Sequence, residues 1–170
     1  GSKFVQSELE NLMTSEAWRV FLIALAGVSA LIYFGFRSWK LTLMSLLPVV
    51  LASSWTLGLM GLLGMDLNFM NLVVFTMVLG VGVDYGVHIL FRGLEGGKEG
   101  LETGLIQVGK GVVLAALTTL VGFGSLVLSG YPGLQSMGAV ALMGVGFSAL
   151  TALTLLPVLL QKLLQKRRSS

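Results

Sequence analysis

Five times along its length this chain runs for about twenty residues with almost no charge, enough to cross a hydrocarbon core of about 30 Å. In lipid such a run has to satisfy its own backbone N–H and C=O groups, which favours helices over any open sheet. The runs cover roughly residues 17–36, 41–63, 69–91, 111–128 and 134–160. Composition agrees. Of the residues 55% are hydrophobic and only 11% charged, whereas a soluble domain carries about 25% charge. The expected fold class is all-α, a polytopic membrane bundle of five transmembrane helices.

Charge placement predicts an orientation. Arg37 and Lys40 follow the first run; Arg92, Lys98 and Lys110 follow the third; Lys162, Lys166, Arg167 and Arg168 follow the fifth. The connectors around Asp66 and Pro132 hold no basic residue, and only Lys3 and Arg19 lie on their side. The positive-inside rule then sets the C-terminus in the cytoplasm and the N-terminus outside. An odd number of spans starting outside reads as a fragment of a larger membrane protein. Gly1 and Ser2 read as a tag remnant, Phe4 to Glu16 as an amphipathic lead-in, and residues 165–170 as a basic cytoplasmic tail. Between Arg92 and Lys110, Leu101, Leu105 and Val108 share one helical face and Lys98, Glu99 and Glu102 the other. This predicts an amphipathic cytoplasmic segment over about 98–109, lying in the headgroup plane. Its first turn is weakened by Gly96 and Gly97. Pro48 marks a kink in the second span.

One residue breaks the apolar pattern. Asp84 lies deep in the third run, inside Gly80-Val81-Gly82-Val83-Asp84-Tyr85-Gly86-Val87-His88. A carboxylate there costs roughly 2.5–3.5 kcal/mol on insertion scales and is by default a group for proton or ion handling. Gly80, Asp84 and His88 recur four apart on one helical face. Gly82 and Gly86 form a second small-residue stripe, and these three glycines are the expected helix-packing positions. The acid is therefore expected in a packed seam between helices, where it can load and release protons. A plain alternative is a protonated Asp84 that only hydrogen-bonds across helices.

The surrounding polar groups are less decisive. The Tyr85 hydroxyl either donates to an acid on a neighbouring helix or anchors packing. His88, the only histidine, can pass protons between Asp84 and the cytoplasm, or is merely tolerated near the interface. Thr118 and Thr119 either support such a relay or bond their own helix carbonyls; spacing does not choose between them. Trp18, Trp39 and Tyr131 fit interfacial anchors, while Trp55 sits deeper and is expected to pack. With no cysteine and one histidine, a metal site is not expected, nor is any cofactor. No phosphate loop, nucleophile elbow or HExxH sequence occurs, so the chain does not read as an enzyme. A net charge of +3 sits at the ends of apolar runs, which excludes a nucleic-acid surface.

With this organisation, Gly80-Val81-Gly82-Val83-Asp84-Tyr85 and Leu117-Thr118-Thr119-Leu120-Val121-Gly122-Phe123 resemble the resistance-nodulation-division (RND) superfamily, in particular its MMPL and hopanoid-exporter-like branch. The resemblance spans about Leu12 to Leu164 and implies an RND half-permease, helices two to six of one half. The basic tail points to the C-terminal half. It implies a proton relay of Asp84 and Tyr85, with His88 beside them and Thr118 or Thr119 in support. It also implies a bacterial inner-membrane exporter of lipid-like substrates, whose other half and periplasmic domain are missing from this chain. Phe4 to Glu16 would then descend from that domain. Partners are membrane lipids and the missing half, or a second copy in a homo-oligomer whose Asp84 seams meet. The five-helix unit is also similar to the sterol-sensing domain, so a lipid-binding module without proton coupling is the rival expectation. A pure assembly unit, held together by glycine faces, leaves the acid unexplained.

Overall fold

The computed structural model describes residues 2–95 and 101–166. It contains α1 (Ser2–Phe36), α2 (Trp39–Leu62), α3 (Phe69–Glu95), α4 (Leu101–Val127) and α5 (Pro132–Lys166). The shortest has 24 residues, about 36 Å at 1.5 Å per residue, so each is long enough to span a bilayer. All five are also apolar enough to do so. Gly96, Gly97, Lys98, Glu99 and the Arg167–Ser170 end of the basic tail lie outside the described residues.

The helix ends follow local chemistry. Arg37 ends α1 with φ +48, and its amide donates to the Tyr33 carbonyl at 2.7 Å. Gly64 ends α2 in the left-handed region, φ +65. Its amide donates to the Gly61 carbonyl, and that of Met65 to the Met60 carbonyl, the paired bonds of a Schellman turn. Asn68 caps α3: its Oδ1 accepts from the Asn71 amide at 2.9 Å. Asn71 is fully buried. Its Nδ2 donates to the Asp66 carbonyl at 2.9 Å, and its Oδ1 accepts from the Ser136 hydroxyl at 3.1 Å. A single amide thus ties the α2–α3 turn to the start of α5. Pro132 opens α5 at the position where a missing N–H is harmless.

Helices α2, α3 and α5 pack against one another; α1 lies on the α2–α3 side and α4 on the α3–α5 side. Half or more of the α3 and α5 spans is buried, against 6% for α1 and 11% for α4. The core therefore sits in the α2–α3–α5 triangle, and α1 and α4 present most of their surface outward. Small residues make the triangle tight. A β-carbon at Gly86 would fall on the Ser45 carbonyl oxygen and lie 3.1 Å from Ser45 Cα. One at Gly82 would meet the Ser148 hydroxyl and lie 3.0 Å from Val49 Cγ2. Such backbone approach supplies the dispersion contact that drives helix association in lipid, where burial against water is absent. Buried Thr42, Ser45 and Thr56 of α2 donate to carbonyls of their own helix, so they enter this core without stranding a hydroxyl. Thr151 of α5 reaches the Pro48 carbonyl of α2 at 3.1 Å while also facing the Phe147 and Ser148 carbonyls.

One sequence expectation about the elements changes. Residues 101–109 are not a separate segment: they run unbroken into the fourth span as one helix. The physical reason is continuity of stripe, since Leu105 and Val108, packed on the core, continue through buried Val112 and Ala116 at helical spacing. Helix α2 continues through Pro48, which is buried within it. Trp55 packs as expected, edge-on to Phe147 at 5.7 Å, with about half of its surface exposed.

Because the Gly86 contact is with backbone, α2 must move to admit any side chain. Gly86→Ala should destabilise the bundle by about 1–3 kcal/mol, read as a lower denaturant midpoint in micelles. Gly80→Ala, where a β-carbon meets nothing within 4 Å, should stay within about 0.5 kcal/mol. Equal effects at the two positions would contradict this packing.

Candidate functional site

Among the described residues, Asp84 does not lie in a packed seam. Its helix packs through Gly82 and Gly86, each two residues from Asp84 and therefore about 200° round the helix at 3.6 residues per turn. The tight face and the acid face are opposite. Gly80, on the acid's own face, has open space where a β-carbon would be. Asp84 and His88 are both exposed on this chain. Gly82 and Gly86 thus make close helix contacts, and Gly80 makes none among the described residues.

What lies beside Asp84 is a cavity of about 450 Å³ between α3 and α4. On the α3 side Val81, Asp84, Tyr85 and His88 line it; on the α4 side Val108, Gly111, Val112, Ala115 and Thr119 do. Both sets recur at i, i+3, i+4 and i+7, the spacing of one face of each helix. Gly111 adds room, since nothing lies within 4 Å of its would-be β-carbon. Among the described residues, Asp84 takes part in no hydrogen bond and no ion pair.

Tyr85 is the buried member, 4% exposed. Its hydroxyl has no hydrogen-bond partner among the described residues. Thr119 lies beside it, but the Thr119 hydroxyl donates to the Ala115 carbonyl at 2.9 Å. Thr118 donates to the same carbonyl at 2.9 Å and is exposed, away from the cavity lining. The pair that spacing left equivalent is therefore separated: Thr119 faces the cavity. The arrangement brings together a carboxylate, an imidazole one turn away, an unpaired phenol and a threonine. These are groups that exchange protons or hold water in an otherwise apolar wall. Among the described residues, no three His, Asp or Glu side chains gather as a metal site would require.

The chain matches the MMPL family over residues 1–167. It belongs to that family. It is 32% identical over 166 residues to MJ1562 of Methanocaldococcus jannaschii, named as a membrane protein, covering 94% of this chain and 43% of that one. It is 31% identical over 159 residues to the hopanoid transporter HpnN of Burkholderia multivorans, covering 92% and 18%. It is also 29% identical over 160 residues to the multidrug resistance protein MdtC of Pectobacterium atrosepticum, covering 89% and 16%. The chain therefore spans less than half the length of each of these relatives. The family and five membrane-spanning helices agree with the RND resemblance drawn from residues 80–85 and 117–123.

Of the α4 wall, sequence reasoning singled out Thr119, paired with Thr118, and missed the rest. Val108, Gly111, Val112 and Ala115 carry no chemistry that singles them out, although their helical spacing was there to be matched with that of Val81, Asp84 and His88.

The open space at Gly111 gives a direct probe of the cavity. Gly111→Leu should fill it and at least halve the reaction of Asp84 with dicyclohexylcarbodiimide. Gly122→Leu, on open surface outside the lining, should leave that reaction unchanged. Undiminished labelling in Gly111→Leu would show that the cavity does not govern access to the acid.

Proposed function

We propose that this chain is the membrane half of an RND-type exporter driven by the proton-motive force, moving lipid-like substrates across a bacterial inner membrane. The carrying observation is Asp84, an acid within a span that faces a cavity instead of its own helices' packed core. Protons enter from one side, neutralise Asp84, and leave to the other; His88 exchanges them toward the cytoplasmic end, and Tyr85 and Thr119 offer hydroxyls along the way. The N-terminus is periplasmic and the C-terminus cytoplasmic, which follows from the basic loops. The other half of the parent protein covers the Asp84 face, or a second copy does so in a homo-oligomer. Lipid-like cargo is favoured by the similarity to a hopanoid transporter. In the full-length parent, Asp84→Asn should insert normally and lose proton-dependent transport by at least 100-fold, the scale of removing a proton-transfer group. Transport that survives unchanged would move Asp84 to a structural role.

A second reading, a lipid-binding module without proton coupling, is favoured by one specific feature. An apolar cavity of about 400 Å³ lies between α1, α2 and α3, lined by Trp18, Phe21, Leu25, Leu57 and Phe75, with Ser53 and Ser54 as its hydroxyls. On this reading Ser53→Phe should abolish photolabelling of the parent by a photoreactive sterol, and Asp84→Asn should leave it and function intact. Labelling indifferent to Ser53→Phe would remove this cavity from consideration.

A further inference from the structure

The stripe that carries Asp84 and His88 continues one turn further, to Arg92. At this end the two walls of the cavity close. Gly104 of α4 is buried against Arg92: a β-carbon there would lie 3.5 Å from Arg92 Cγ and 3.7 Å from the Arg92 carbonyl oxygen. The guanidinium donates across the gap to Gln107 Oε1 of α4 at 3.5 Å and back to Glu95 Oε2 at 3.3 Å. Arg92 to Gln107 is a side-chain hydrogen bond that joins α3 to α4. Gln107 immediately precedes Val108, the first cavity-lining residue of α4. The helices are thus strapped together at one end and open into the cavity beyond it.

We propose that Arg92 and Gln107 form a polar strap that controls access from the cytoplasm to the His88–Asp84 cavity. The inference rests on the proposed function for its orientation and for the working role of that cavity. The geometry suits a strap that opens and recloses. Both Arg92 and Glu95 are about half exposed, so the contact is weak and exchanges with water instead of locking. Glu95 holds the guanidinium over the gap while it is released from Gln107. Gly104 lets the helices meet with no side chain to be displaced on opening.

Thiol accessibility tests the strap without reference to transport, and this segment contains no native cysteine. In the full-length parent, with any cysteines elsewhere replaced, Ala115→Cys would report on the cavity. The probe is the membrane-impermeant reagent MTSET, applied to inside-out vesicles. Gln107→Leu should accelerate labelling about fivefold, and Arg92→Lys should fall between it and the parent. A cysteine in place of fully buried Ala152, carried in the same background, should stay unreacted where the bundle is intact. In a second measurement, Arg92→Cys with Gln107→Cys, bridged by a reducible bis-methanethiosulfonate cross-linker, should suppress labelling at residue 115, and a reductant should restore it. Rates that respond to neither Gln107→Leu nor the cross-link would overturn the strap. A relay that fails is read elsewhere, as transport surviving Asp84→Asn.

Discussion

The contact of the α3 backbone with Ser45 at Gly86 sets the geometry on which the rest depends. In lipid there is no hydrophobic gain from bringing two helices together, so association rests on dispersion and on how closely backbones approach. Gly86 against α2, and Gly82 between Ser148 of α5 and Val49 of α2, bind α3 along one line. That line fixes the helix rotation. With Asp84 about 200° away from either glycine, the same packing that holds the bundle together turns the carboxylate out of it.

The polar inventory of the bundle divides along the same line. Thr42, Ser45 and Thr56 satisfy themselves on their own helix, as membrane-embedded hydroxyls commonly do. Two buried hydroxyls, of Tyr85 and Ser148, lack partners among the described residues. An unsatisfied buried hydroxyl costs about 1–3 kcal/mol, so each requires an account. Ser148 is pressed against Gly82, where the close approach that stabilises the triangle leaves little room for an acceptor. Tyr85 differs, because it borders the Asp84 cavity. Its hydroxyl is a donor held in reserve beside the one acid within the span, and the proposed relay gives it something to donate to.

Much of this was legible in the sequence, and what was not has a common cause. The five spans follow from apolar run length, and the Gly64 and Arg37 breaks fall where apolar runs meet polar residues. Asp84 announces itself by the cost of a charge in lipid. The face it occupies did not. Gly80-Asp84-His88 and Gly82-Gly86 have the same four-residue spacing, and glycine suits both a tight contact and an empty space. Only the identity of the neighbour decides, and Ser45 lies 41 residues from Gly86 and Ser148 66 residues from Gly82 in the chain. Thr118 and Thr119 were inseparable for the same reason: they bond the same Ala115 carbonyl and differ only in which of them meets α3. The fourth helix was broken too early because the charges near its start suggested a surface segment. The stripe of Leu105, Val108, Val112 and Ala116 carried the opposite and stronger signal, an uninterrupted helical period.

An acid on the outer face of a membrane bundle cannot be left against lipid without cost, roughly 2.5–3.5 kcal/mol for a charged form at mid-depth. The cavity relieves only part of this, because its walls at Val81, Val108, Val112 and Ala115 offer no hydrogen bond from their side chains. On the proposed reading the remaining wall comes from the parent's other half or from a second copy, and this arrangement has a mechanical consequence. Two walls of the site, on α3 and α4, belong to one packed unit, while the third belongs to a body free to move against it. On the same reading, protonation of Asp84 changes its interaction with that third wall, and a proton exchanged there would bias the position of one half against the other. The glycine line behind Asp84 is what makes that displacement useful: it holds α3 rigidly to α2 and α5, so force at the acid moves the bundle as a whole.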